Sequence, residues 1–262
     1  MLAFFRALMG RPTPAPQQAQ RPRLHAAEWP AVVYAIGDIH GCYEQLVALE
    51  RQIADDARAI AGERWIVTLG DYVDRGPQSA RVVSHLMKPL DGFKRIALAG
   101  NHEQMMLGFL TDPVGNAQWL EFGGLDTALS YGFRQRTSPA GTRWLRSVAT
   151  DLASLIPEAH LQFLSHLPVS LSLPGYQFVH AGMRPGIPAD EQAEDDLLWI
   201  REPFLEGGGI EGEIVVHGHT PELEPQLRPW RIGIDTGAFA GGPLTAVRLQ
   251  QGHPPVFLGA LG

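Results

Sequence analysis

The sequence is short of cysteine, of long apolar runs and of basic charge. Its single cysteine, Cys42, among 262 residues cannot close an internal disulfide, which fits a reducing, cytoplasmic setting. No uninterrupted apolar run reaches the roughly 18 residues that a bilayer span requires, so no stable membrane insertion is expected. Met1 to Met9 is apolar but broken by Arg6, too short for a secretory leader, and no small-residue cleavage pattern follows it. With 21 Lys and Arg against 28 Asp and Glu, the net charge is −7. That balance argues against a nucleic-acid partner bound through phosphate neutralisation. No internal repeat is present.

Five short polar segments stand out against this background. They are Gly37-Asp38-Ile39-His40-Gly41, Gly70-Asp71-Tyr72-Val73-Asp74-Arg75-Gly76, Gly100-Asn101-His102-Glu103, His180-Ala181-Gly182 and His217-Gly218-His219-Thr220. Each follows an apolar run: Val32 to Ile36, Trp65 to Leu69, Ile96 to Ala99, Tyr176 to Val179 and Ile214 to Val216. Short apolar runs closed by glycine read as buried strands. Buried strands ending in Asp, His and Asn bring those groups to one rim, where α/β sheets build their sites. Oxygen ligands mixed with imidazole suit Mn, Fe or Zn better than Ca or Mg. The pattern describes a metal centre.

A chain of this length that is 45% hydrophobic can bury one substantial core. Arg11 to Arg23 holds four prolines and three glutamines with almost nothing to bury, so residues 1–30 are expected to be a flexible tail and order to begin near Trp29 or Val32. Residues 31–262 then form one domain. Leu46, Leu49, Ile53, Ala57 and Ile60 recur at helical spacing, and a second helix is expected from Gln78 to Leu86. This strand–motif–helix alternation indicates an α/β architecture. From 103 to 167 strand signals vanish; Trp119, Phe122, Leu125 and Leu129 fit one helical face, and Pro157 opens a helix carrying Leu161, Leu164 and Leu167. This stretch reads as a helical insertion or cap. Short strands resume after Tyr176, including Ile232 to Ile234, Leu244 to Leu249 and Val256 to Leu258.

In this order and with these flanks, the motifs resemble the phosphoprotein phosphatase family of calcineurin-like metallophosphoesterases, specifically its bacterial and phage-type protein serine/threonine phosphatases. Asp195-Asp196-Leu197-Leu198-Trp199-Ile200-Arg201 adds a sixth matching piece. The tyrosine that many eukaryotic members carry near the site has no counterpart in Ile234 to Phe239. The resemblance implies a central β-sandwich flanked by helices, with the insertion at 103–167. It implies two divalent metal ions, Mn foremost with Fe or Zn as alternatives, activating a bridging water for attack on a phosphate monoester. By the family pattern Asp38 and His40 hold one metal, Asp71 bridges, and Asn101, His180 and His219 hold the other. His102 is the general acid, Asp74 orients it, and Arg75 and Arg201 clamp the phosphate together with Asn101 and His102. Phosphorylated proteins or peptides are the implied substrates, with inorganic phosphate as product.

Other residues read more plainly. Arg201 has a competing role as an ion-pair partner of Glu194, Asp195 or Asp196. His217 reads as structural, Cys42 as a small packing residue and Asp235 as a turn tie. His25, His85, His160, His166 and His253 lie outside every motif. A neighbouring function is dinucleoside polyphosphate hydrolysis, whose enzymes share the metal set but more often carry Asp at the position of Glu103. A non-catalytic binding module would have lost a ligand or the acid, and none is missing.

Overall fold

The computed structural model describes residues 21–134 and 141–262. Most of Arg11 to Arg23, expected to be a tail, therefore lies outside the described residues. The strands in chain order are β1 (Arg23–His25), β2 (Val32–Ile36), β3 (Arg64–Thr68), β4 (Lys94–Ala97), β5 (Ser170–Leu173), β6 (Tyr176–Val179), β7 (Ile214–His217), β8 (Gln226–Arg228), β9 (Arg231–Gly233), β10 (Leu244–Leu249) and β11 (Val256–Ala260). They form a five-stranded sheet, β11-β10-β2-β3-β4, and a six-stranded sheet, β1-β5-β6-β7-β9-β8.

The two sheets pack face to face. Alternation along β2 shows how: Val33 and Ala35 join Val67, Leu171, Phe178, Val216 and Ile232 in the layer between the sheets. Val32, Tyr34 and Ile36 turn outward onto the helices, as the two-residue period of a strand requires. Both faces of β2 are thus covered, which explains its unbroken apolar run. Helix α1 (Tyr43–Asp56) buries Leu46, Leu49 and Ile53 on the expected face, and α2 (Ser79–Leu86) buries Val82, Val83 and Leu86.

Order begins earlier than composition indicates. β1 pairs in parallel with β5, with Arg23 opposite Ser170. Arg21 Nη1 donates to Leu164 O (3.0 Å) and Leu167 O (3.2 Å). A three-residue strand with one inward side chain leaves no periodic signal, and its anchors are arginine heads reaching carbonyls more than 140 residues away.

Between β4 and β5 the described residues are helical: α3 (Asn101–Thr111), α4 (Gly124–Ser130), α5 (Gly141–Leu155) and α6 (Glu158–Ser165). The single face expected from Trp119 to Leu129 is two pieces. A 3₁₀ turn at Ala117–Leu120 and α4 meet at Gly123, whose φ is 103°. Trp119 is fully buried, whereas Phe122 and Leu129 are each 52% exposed. Two short helices, α7 (Glu194–Trp199) and α8 (Phe204–Gly207), follow β6. No helix among the described residues is long and apolar enough to cross a membrane.

β2, β3 and β4 run parallel, and so do β6, β7 and β9. The first, second and third polar segments therefore leave one sheet at its carboxyl ends. The fourth and fifth leave the other in the same manner.

Candidate metal centre

Asp71 lies at the middle of the site. It is 1% exposed and belongs to two triads whose donor atoms fall within 4.8 Å of one another: His40, Asp71 and His102, and Asp71, His180 and His219. Oδ2 of Asp71 is 3.4 Å from His40 Nε2, and Oδ1 is 3.3 Å from His180 Nε2. A carboxylate shared by two imidazole groups is where a bridging ligand would sit.

Proton accounting tests whether these residues fit a cation. Burial, reinforced for His40 by His102 and Arg75, holds His40 and His180 well below the usual imidazole value, so both rings are neutral. Each neutral ring has one N–H. His40 Nδ1 donates it to Val73 O (2.8 Å) and His180 Nδ1 donates it to Leu69 O (2.9 Å). The Nε2 lone pairs then face the acceptors Asp71 and, for His180, Asn101 Oδ1 at 2.7 Å. His219 Nδ1 approaches the same Asn101 oxygen at 3.1 Å, and its Nε2 is buried without a partner. At His180 the lone pairs converge on Asn101 and Asp71 with no proton between them, which suits a positive ion, whereas the His40 Nε2 lone pair accepts an Arg75 N–H at 2.8 Å. The backbone carbonyls fix both tautomers as supporting groups do in metal sites. The residues fit divalent metals.

The carboxylates show the same need. Burial, opposed by His102, pushes Asp71 up to about 7. Burial, then Asp235 and Asp71, push Asp38 well above the carboxylate range. A bound cation would reverse both shifts. Asp38 joins neither triad; both its oxygens accept from the His219 backbone N–H (3.0 and 3.1 Å). Gly218 makes that approach possible, because a Cβ there would collide with Asp38 Oδ1.

His102 and Asp74 form a buried pair. His102 Nδ1 donates to Asp74 Oδ2 at 2.6 Å, while Nε2 lies 3.8 Å from Asp71 Oδ2. Burial works against charge on His102, but Asp71 and Asp74 outweigh it and the imidazole is raised above its ordinary value.

Arg75 Nη1 sits 2.8 Å from His40 Nε2, with its guanidinium 4.6 Å from the Phe239 ring. Arg201 is exposed, and its Nη2 lies 3.5 Å from His219 O. Two of its alternative partners are engaged elsewhere: Glu194 pairs with Arg21 at 3.6 Å and Asp196 with Arg184 at 2.6 Å. Burial raises the Asp235 carboxyl, opposed by the Gly237 N–H, Arg75 and Arg201 among others. His217 points away, its Nε2 3.3 Å from Arg231 Nη1.

Backbone strain concentrates here as well. Among the described residues the non-glycine positions with positive φ are His40, Asp71, Asp74, Arg75 and His219, at 41° to 72°. Such conformations cost on the order of 1–3 kcal/mol each and cluster at functional sites.

Residues 31–231 match the calcineurin-like phosphoesterase family. The chain belongs to that family. Among its relatives are the serine/threonine-protein phosphatase 1 of Salmonella typhimurium, 30% identical over 87% of this chain and 96% of that protein, and the bis(5'-nucleosyl)-tetraphosphatase PrpE of Oceanobacillus iheyensis, 28% identical over 82% and 88%. A solved structure provisionally described as a diadenosine tetraphosphatase shares the fold, with a TM-score of 0.65 at 24% identity over 92% of this chain and 98% of that one. Calcineurin-like phosphoesterases are hydrolases with a dinuclear divalent metal site, in keeping with the Asp and His groups gathered around Asp71.

Three further residues build this site. Glu103, fully buried, accepts backbone N–H groups from Asp71 (2.9 Å), Tyr72 (2.7 Å), Val73 (3.3 Å) and Gly100 (2.9 Å). Its place three residues after Gly100 was a legible capping signal. Trp119 Nε1 (2.9 Å) and Thr127 Oγ1 (2.7 Å) donate to the two oxygens of Asp74. Nothing in the sequence linked either to Asp74, 45 and 53 residues away. The helical stretch after β4 therefore forms part of the site's wall.

Proposed function

We propose that this phosphoesterase is a metal-dependent protein serine/threonine phosphatase. The observation that carries the reading is the buried Asp74–His102 pair facing Asp71. An alkoxide is a poor leaving group, and a protonated imidazole held by a carboxylate is the device that its departure needs. A phosphoanhydride, with a less basic leaving group, needs it less.

In this reading Asp38, His40 and Asp71 would hold one ion and Asp71, Asn101, His180 and His219 the other; Mn is the favoured metal on donor chemistry. The pair of ions supplies charge neutralisation and a water of lowered pKa. The rest is done by this chain's own groups. Arg75 and Arg201 bind phosphate oxygens from two segments, and Asn101 helps to place the ester. The protonated His102 ring releases its Nε2 proton to the departing serine or threonine oxygen and keeps the Nδ1–H that it donates to Asp74. Inorganic phosphate is the product.

Dinucleoside polyphosphate hydrolysis is the second reading. It is supported by the likeness to bis(5'-nucleosyl)-tetraphosphatase PrpE. The test compares Mn-loaded protein on a phosphoserine peptide, a phosphotyrosine peptide and diadenosine tetraphosphate. The highest kcat/KM on phosphoserine is expected; a preference for diadenosine tetraphosphate would reverse the assignment.

A further inference from the structure

Asp74 receives more than His102 alone requires. Its side chain is fully buried, and every oxygen is engaged. Oδ2 accepts from His102 Nδ1 and Trp119 Nε1. Oδ1 accepts from Thr127 Oγ1 at 2.7 Å, and the same hydroxyl accepts the Asp74 backbone N–H at 2.7 Å. Thr127 thus grips Asp74 at both ends of the residue, at a position where φ is +72°.

The same segment holds two more parts of the site. Arg75 N donates to Gly123 O at 3.3 Å, and a Cβ at Gly123 would meet Arg75 N and Cα. The Trp119 ring packs 5.0 Å from Phe109, which lies on α3, the helix that carries His102. Residues 119–127 therefore touch the carboxylate, the backbone of the phosphate-facing arginine and the helix of the imidazole.

We infer that Trp119 and Thr127 are positioning residues for proton transfer, fixing the Asp74 carboxylate so that His102 is aimed at the leaving oxygen. This rests on the reading of His102 as general acid. A carboxylate with three side-chain donors has one orientation. With Thr127 gone it can rotate about χ2, and the imidazole it orients rotates with it. Small misplacements of this kind reduce catalysis without removing any group that touches substrate.

The test replaces Thr127→Val, Thr127→Ser and Trp119→Phe in the full Mn-loaded chain, with His102→Asn as reference. Rates are measured on a phosphoserine peptide and on para-nitrophenyl phosphate, whose phenolate leaves with little protonation. Thr127→Val is expected to lower kcat on the peptide by about 10- to 100-fold, with a smaller loss on the aryl ester and KM nearly unchanged. Thr127→Ser should restore most of it, and Trp119→Phe should show the same selectivity more weakly. Equal losses on both substrates, or loss only in proportion to lowered Tm, would overturn the inference and leave a packing role. If Thr127→Val fails to fold, the Trp119→Phe and Thr127→Ser pair still decides the matter. If His102→Asn itself shows no substrate selectivity, the general-acid reading falls and the inference falls with it. If His102→Asn is selective and the Thr127 and Trp119 variants are not, only the inference is lost.

Discussion

Asp71 concentrates the electrostatic demand of the site. Buried beside Glu103 and Asp38, it resists ionisation, its carboxyl pushed up to about 7 chiefly by burial. Asp71→Asn removes the charge shared by both triads, so metal content should fall at both positions together; retention of one full equivalent would show that the positions are independent. His102→Asn should leave metal content intact and cut turnover on alkyl phosphates by roughly 10²–10⁴-fold, with less effect on para-nitrophenyl phosphate. Loss of metal in that variant would make His102 a ligand, as its place in the His40–Asp71 triad allows. Arg75→Ala and Arg201→Ala should each raise KM, lower kcat and weaken inhibition by inorganic phosphate, because the same forks grip ground and transition states. Lysine at either position should recover only part, since a point charge does not reproduce a bidentate fork. An Arg201→Ala variant with unchanged kinetics and a lower Tm would return Arg201 to a structural role.

At the level of elements, two buried carboxylates tie segments together. Glu103, in the first turn of α3, collects four N–H groups from the β3 loop and from its own helix start. Glu103→Ala leaves those donors without a partner at about 1–3 kcal/mol for each one still buried. Lower Tm and lower metal content are expected together, because the loop it holds carries Asp71. Glu50 on α1 meets His85 on α2 at 2.6 Å and Arg95 on β4 at 2.5 Å. Burial raises the Glu50 carboxyl, but His85 and Arg95 prevail and it lies below its usual 4.5. A depressed folded value means stability that is present above the unfolded value and lost as pH falls through the folded one. The stability deficit of Glu50→Gln relative to the parent should therefore be full at neutral pH and shrink below about pH 4.5. A deficit unchanged down to pH 3 would assign it to packing.

For the whole molecule, the parallel strands of both sheets deliver their polar ends to one rim, and the acidic groups gathered there oppose one another. Asp38, Asp71 and Asp235 are all displaced upward by burial. Divalent metal should relieve this and stabilise the fold by mass action. At about 100 times Kd the gain is ~2.7 kcal/mol, which corresponds to a Tm increase of roughly 5–10 °C for a chain of this size. Thermal melts with Mn and with chelator check it; coincident curves would mean that the fold does not use the metal.

Much of the site was written in local sequence. Asp38, His40, Asp71, Asp74, Asn101, His102, His180 and His219 each follow a short apolar run, and a run of that kind becomes a buried strand by the same physics wherever it occurs. Strand ends in parallel sheets share a rim, so their meeting followed from the pattern. Helices α1 and α2 and the helical stretch after β4 were legible in helical spacing, whereas the β-sandwich was implied by the family resemblance of the motifs. What only the tertiary structure decided depends on contacts distant in sequence and carried by single side chains. Glu103 is a family marker in the sequence, but its hold on the N–H groups of Asp71, Tyr72 and Val73 exists only in the fold. Trp119 had the look of a helical-face residue, and Gly123 broke that helix so that its indole could reach Asp74. β1 lay within a proline-rich composition, with no period to mark it, and was ordered by arginines reaching carbonyls across the fold. Periodicity encodes which face is buried; it does not encode which buried donor finds which distant acceptor, and that pairing is settled only when the layers pack.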